Sequence, residues 1–334
     1  MCADAAGPCG ARGVGLDSGA VTNGPSTLGI ELRRFAGPSA YVERLGAHPL
    51  RVAHLTDLHV GRVTPMKVQY AAVDATNAES PDLVVITGDF VCHSQRYLDE
   101  LADVIARFRA PVFAVLGNHD YWSGAAEVRH ALRRAGAEVL DNAHTTITVR
   151  GERLQLLGLD DAYTGHADRR AALAGLRRDL PTLGLSHIAE EADALWAAGV
   201  PLVLSGHTHA GQVTVARLHE LAIGRLAGHR YVHGLYGTRR ERAAPHGAVY
   251  VGAGIGAAVI PLRLGERGRR EITMFELGAV PGAFDEHHDE QPSLPGRKPT
   301  PKLVAKRRAA VAKKHASRER ASARADAVKK KRGS

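Results

Sequence analysis

Cysteine is scarce in this 334-residue chain: Cys2, Cys9 and Cys92 are too few and too scattered for a disulfide framework. Such usage suits a reducing compartment, and a cytoplasmic location is the expectation. Long apolar runs are missing too. A membrane-spanning helix takes about 20 apolar residues, and the longest candidate, VYVGAGIGAAVIPL at 249–262, is shorter and rich in glycine. The opening MCADAAGPCGARG lacks the apolar core of a secretion signal. No internal repeat is visible.

What the chain does have is a body and a tail of opposite charge. Hydrophobic residues make up 44%, ample for one large domain or two small ones. Between Arg297 and Arg332 there are 15 Lys and Arg against two acids, Glu319 and Asp326, a net of +13. The remainder carries 29 basic and 33 acidic residues, a net of −4.

Residues 1–48, rich in Gly, Ala, Ser and Pro, are expected to form an irregular N-terminal extension. A single domain over 49–280 follows. From Leu50 apolar runs alternate with helical segments: strands at 51–56, 82–88 and 111–117, helices at 65–79, 96–108 and 125–136. That alternation predicts βαβ units and a largely parallel sheet. After Gly136 a hairpin is expected at 144–159, helices at 168–178 and 189–199, and strands at 182–187, 201–206, 229–236, 248–254 and 270–277. One open sheet cannot take so many strands. Two sheets packed face to face, with helices outside, would. Residues 281–334 read as a linker and a solvated, disordered basic tail: 303–316 could form a helix, but one without an apolar face wide enough to dock.

The chemistry gathers where apolar runs end. The first strand runs into Asp57-Leu58-His59, the second into Gly88-Asp89, and the third into Gly117-Asn118-His119-Asp120. Later runs end at His187 and at Gly206-His207-Thr208-His209. In α/β sheets such carboxyl-end tips are where sites are built. Carboxylate, amide and imidazole without thiolate form a ligand set for Mn2+, Fe2+/3+, Zn2+ or Mg2+. Gly61 is expected to turn the loop so that Asp57 and His59 reach one ion. Two ions at about 3.5–4 Å need a bridging carboxylate, and Asp89 is the natural candidate. The glycines at 88, 117 and 206 are expected to let backbone approach ions and phosphate.

The words LTDLH, VITGDF, GNHDYW, GLDD and LSGHTHAGQV, in this order, resemble the calcineurin-like metallophosphoesterases, in particular their bacterial phosphodiesterase-type branch. The resemblance runs from about residue 50 to 278. It implies a four-layer αββα sandwich of two mixed sheets, which suits the surplus of strands. It also implies two divalent metal ions, one held by Asp57, His59, Asp89 and His209, the other by Asp89, Asn118, His187 and His207. His119 would face the substrate phosphate as general acid or transition-state donor, and an activated water would attack phosphorus. The chain departs from the family where Gly-Asp-x-x-Asp ends in Cys92 instead of Asp, which leaves Asp120 or a carbonyl to hold His119. It also lacks the Asn-Pro that usually follows the fourth-block histidine.

The implied function is a metal-dependent phosphohydrolase acting on a phosphodiester. Two other readings stand beside it. One is a lipid-linked pyrophosphatase or phosphomonoesterase at a membrane surface. The other is a nucleic-acid-binding protein acting through its tail. The tail's charge would bring nonspecific contact with nucleic acid or anionic membrane, the latter making the protein peripheral to a membrane. The intact ligand set argues against a pure binder. Arg62, Tyr121, Trp122 and Asp160-Asp161 are weaker candidates near the site. His144, His166, His229, His233 and His246 are expected to be structural.

Overall fold

Four short apolar stretches, Leu50–Leu55, Leu83–Thr87, Val112–Val115 and Glu138–Val139, become the parallel strands β2, β3, β4 and β5 of one sheet. They do so in a computed structural model that describes residues 28–332 except 93, 212–219, 242–243, 258–262, 264, 266–267, 285 and 287–288. Residues 1–27 of the expected extension and 333–334 of the tail lie outside the described residues. β3 is buried at every position, as a strand covered on both faces must be. The sheet is completed by β12 (Arg270–Leu277), antiparallel to β2, and by β1 (Ile30–Ala36), parallel to β12.

The second sheet has the order β10-β11-β9-β8-β7-β6. Its strands are β6 (Ala143–Val149), β7 (Glu152–Leu159), β8 (Thr182–Ser186), β9 (Leu202–Ser205), β10 (Gly234–Gly237) and β11 (Ala248–Val251). β7, β8, β9 and β11 run parallel, with β6 and β10 antiparallel at the two edges. The sheets face each other across one apolar seam. Val52, Leu83, Val85 and Phe275 of the first meet Leu183, Leu185, Leu202, Leu204 and Tyr250 of the second.

Helices cover both outer faces. α2 (Met66–Ala78), α3 (Leu98–Ala106) and α5 (Ala125–Arg134) pack on the first sheet through Val68, Val73, Leu101, Ile105, Val128 and Leu132. α6 (Arg169–Leu173) and α7 (Ala192–Ala197) pack on the second through Ala172, Ala192 and Leu195. The short α1 (Val42–Leu45) and α4 (Asn118–Ser123) complete the body. The architecture is thus the αββα sandwich of two mixed sheets.

Three expectations are corrected. Residues 30–36 are not irregular: IELRRFA forms β1, in which buried Arg33 pairs with buried Glu271 at 2.7 Å. Residues 281–300 are not a free linker. Gln291, Leu294 and Arg297 donate backbone N–H groups to Leu235, Arg230 and Gly228, and Glu286 and Glu290 hold Arg239. The basic segment is not disordered either, for Pro301–Arg332 forms one helix, α8. It docks with little apolar surface, through Val311, which is buried, and through the His315 and Arg318 side chains, which donate to backbone carbonyls.

Candidate metal centre

The tips after β2 and β3 lie side by side because their backbones pair, and the tip after β4 joins them through the Asp120 and Asp89 carboxylates. Asp57 N–H donates to the Gly88 carbonyl, His59 N–H to the Asp89 carbonyl, and Val60 N–H to the Phe90 carbonyl. The turn that brings Asp57 and His59 inward is made by those residues, with φ of 50° and 44°, and Gly61 has no positive φ. Asp89, His207 and His209 are also left-handed, at 56°, 78° and 52°. For an L-residue this costs about 1–2 kcal/mol, so the surrounding packing has to impose it.

Glycine serves the site by close approach between tips. A Cβ on Gly117 would lie 2.3 Å from Asp89 Oδ1, and one on Gly206 would lie 2.4 Å from Asp57 Oδ2. What the missing side chains admit is the carboxylates of neighbouring tips.

Each carboxylate has one oxygen tied down and one aimed inward. Asp57 Oδ2 accepts from Thr56 Oγ1 at 2.8 Å and from His207 N–H at 3.0 Å. Asp57 Oδ1 is buried without a hydrogen-bond partner, 3.3 Å from His209 Nε2. Asp89 Oδ1 accepts from His119 N–H at 2.8 Å. Asp89 Oδ2 faces three imidazoles, at 3.4 Å from His187, 3.6 Å from His59 and 4.0 Å from His119.

The described residues thus bring together two overlapping groups of donor atoms. Asp57, His59, Asp89 and His209 place theirs within 4.8 Å of one another, and so do Asp89, His187 and His207. Asn118 Oδ1 joins the second group, 3.2 Å from His187 Nε2. His187 presents that nitrogen because its Nδ1–H donates to the Thr87 carbonyl at 2.8 Å. All seven residues singled out in the sequence as ligands stand at this one place.

The donor set fits divalent cations. His59 Nε2 and His209 Nε2 are 3.0 Å apart, and burial lowers both imidazoles to about 3. Two neutral rings and the open Asp57 oxygen converge where one shared proton leaves a donor unsatisfied. A cation satisfies all three at once. In the second group burial works against a charged His187, but the neighbouring Asp89 carboxylate overrides it and raises the ring to about 10. Burial alone would raise Asp89, yet His187 and His119 hold it well below the carboxylate range. A site that binds a proton so firmly offers a cation the same negative field.

His119 sits at the mouth, half-buried, with its ring 4.7 Å from that of His59 and 4.7 Å from Trp122. Asp120 does not hold it. That carboxylate turns away to accept from the N–H groups of Phe90, Val91 and Gly117. Cys92 is the nearer neighbour: its thiol groups with His59 and His119 within 4.8 Å. Burial, then the Asp89 charge, pushes the thiol up.

Tyr163 and His229 stand beside the centre without belonging to any motif, and the weaker candidates other than Arg62 take supporting places. Tyr163 packs 5.2 Å from the His207 ring and 6.0 Å from Trp122. His229 lies 5.2 Å from His207 while its Nδ1 bonds Glu190. Asp161 accepts from Thr164 and Tyr163, and Asp160 from the Tyr121 hydroxyl at 2.5 Å. Arg62 is exposed and shows no ion pair among the described residues. His144 bonds the Ala172 carbonyl, His233 bonds Glu271 and His246 pairs with Glu241, none of them at the centre.

Residues 50–211 match the family model described as calcineurin-like phosphoesterase. "Phosphodiesterase YaeI" of Escherichia coli (strain K12) is 30% identical over 239 residues, 69% of this chain and 83% of that protein. "Uncharacterized metallophosphoesterase YkuE" of Bacillus subtilis (strain 168) is 28% identical over 70% of this chain and 80% of its own length. "Transmembrane protein with metallophosphoesterase domain" of Danio rerio is 33% identical, covering 68% of this chain and 53% of that protein. Among the described residues of this chain, no helix is long and apolar enough to cross a membrane.

Proposed function

The chain belongs to the calcineurin-like phosphoesterase family, and from that premise we propose that it hydrolyses a phosphodiester at a dinuclear metal centre. The observation that carries this reading is Asp89 Oδ2, one carboxylate oxygen facing both groups of donors with His119 beside it. Asp57, His59, Asp89 and His209 would hold one ion, and Asp89, Asn118, His187 and His207 the other. Divalent ions bound there supply a water of lowered pKa and offset charge on the phosphate oxygens.

This chain's own residues do the rest. The N–H groups of His119 and His207 orient Asp89 and Asp57, so that each carboxylate keeps one oxygen for the centre. His119, packed on Trp122 and open to the mouth, donates a proton to the departing oxygen. No serine or cysteine nucleophile is required. A cytoplasmic location is part of the proposal and is supported by the scarcity of cysteine alone.

The test is turnover of bis(p-nitrophenyl) phosphate against p-nitrophenyl phosphate by metal-reconstituted protein. Preference for the diester in kcat/KM is expected. Preference for the monoester overturns the diester assignment and leaves the hydrolase intact.

A further inference from the structure

The C-terminal helix α8 is seated on the two segments that frame the mouth of the centre. Val311 is 4% exposed and belongs to the same core as Tyr121 and Val128. His315 Nε2–H donates to the Tyr121 carbonyl at 2.9 Å, and Arg318 donates to the Ser123 carbonyl. Those carbonyls end α4, the short helix whose first residues are Asn118 and His119, and helix ends need such partners. On the other flank Val304 lies against Gly165, at 2.7 Å from where a Cβ would stand.

This seating puts Arg307 at the rim. Its guanidinium carbon lies 3.6 Å from the Tyr163 ring centroid. Tyr163 in turn contacts Trp122 and His207, and Trp122 contacts His119. Arg307 is therefore one aromatic ring removed from a proposed metal ligand. It is half-buried, and no carboxylate pairs with it among the described residues. A guanidinium stacked by its face keeps its N–H edge for a planar or tetrahedral anion. Its neighbours on α8 add charge of the same sign. Arg308 is close enough that, after burial, its charge helps lower His166 to about 4.

We infer that Arg307 determines specificity by binding a second anionic group of the substrate, a phosphate one aromatic ring away from the phosphoester being cleaved. The preferred substrate is then a small ester with two phosphate groups, and α8 forms a wall of its cleft. This inference rests on the hydrolase reading above and adds a substrate class to it.

The experiment is calorimetric titration of full-length, Mn2+-loaded protein with adenosine 3′,5′-bisphosphate and with adenosine 5′-monophosphate. A charge-assisted contact to the second phosphate should make the bisphosphate bind about tenfold more tightly. Arg307→Gln should bring the two dissociation constants together, and Arg307→Lys should restore part of the difference. Lys306→Gln, at an exposed neighbouring position on α8, should keep the full difference. A ratio retained in Arg307→Gln overturns the inference, as does equal loss in Lys306→Gln, which would mean diffuse charge. Salt-steep binding to duplex DNA that falls as much as bisphosphate binding in Arg307→Gln would make a polymer the ligand and overturn the small-substrate assignment. The readout is binding, so failure of the diester assay above leaves this ratio measurable.

Discussion

The two sheets contribute different chemistry to the centre. The first brings both carboxylates, Asp57 and Asp89, with Asn118 and one imidazole, His59. The second brings imidazoles only, His187, His207 and His209. Negative charge is thus concentrated on one side and held there by backbone N–H groups that bind one oxygen of each carboxylate. The other side is mainly neutral nitrogen, since burial keeps His207 and His209 far below the ordinary imidazole range. Neither sheet holds all of the proposed ligands. The centre exists only while the apolar seam between Val52, Val85, Leu185 and Leu204 keeps the sheets together.

Breaking the carboxylate side should have the largest effect. Asp89→Asn removes the oxygen that both donor groups share, and turnover should fall by at least about 10³-fold. Metal content, measured by atomic emission, should drop with it while the fold persists. Full activity in this variant would end the shared-carboxylate reading.

His119 belongs to the first sheet's side without being assigned as a ligand, and its replacement separates proton transfer from metal binding. His119→Ala should cost about 10²–10⁴-fold on an alkyl phosphodiester and distinctly less on a p-nitrophenyl ester, whose leaving group needs little protonation. Metal should be retained. Equal losses on both esters would make His119 a charge stabiliser, and loss of metal would make it a ligand.

Stripping the metal tests whether the ions join the sheets. With free ion at about 100 times Kd, binding adds about 2.7 kcal/mol to stability, or several degrees in Tm for a chain of this size. A chelator should lower Tm by that much, and the loss should be smaller in His207→Ala, which lacks a ligand from the second sheet. An unchanged Tm would show that the seam alone holds the sheets.

The smallest effect should come from α8, which bears on the α4 end of the first sheet's side. Val311→Ala should cost about 1 kcal/mol, read as a Tm shift of a few degrees, with metal content unchanged. Loss of metal in this variant would mean that α8 positions Asn118 as well as covering it.

The parallel strands and their polar tips were legible in the sequence because an apolar run ending in Asp, Asn or His changes character within one residue. β1 was hidden for the opposite reason. Arg33 is buried in it as an ion pair with Glu271, 238 positions away, so the strand does not alternate. The expected strand at 229–236 shrank to Gly234–Gly237, since Tyr231 and Val232 are buried without joining a ladder. A helix at 303–316 was legible but its docking was not, because that relies on one valine and on side chains that meet carbonyls, which leaves no stripe to read. The residues proposed as ligands were singled out by motif, but the place of Cys92 beside His119 needs coordinates.

The left-handed backbone at the proposed ligands has a consequence for substitution there. Among the described residues, nine that are not glycine have positive φ, and Asp57, His59, Asp89, His207 and His209 are five of them. Glycine at any of these positions would relieve about 1–2 kcal/mol of backbone strain while deleting a ligand. The lost side chain also leaves partners unsatisfied, as the His207 N–H would be without Asp57. Backbone relief therefore returns only part of what each such substitution costs, and the packing that imposes these angles also keeps the proposed ligands in place.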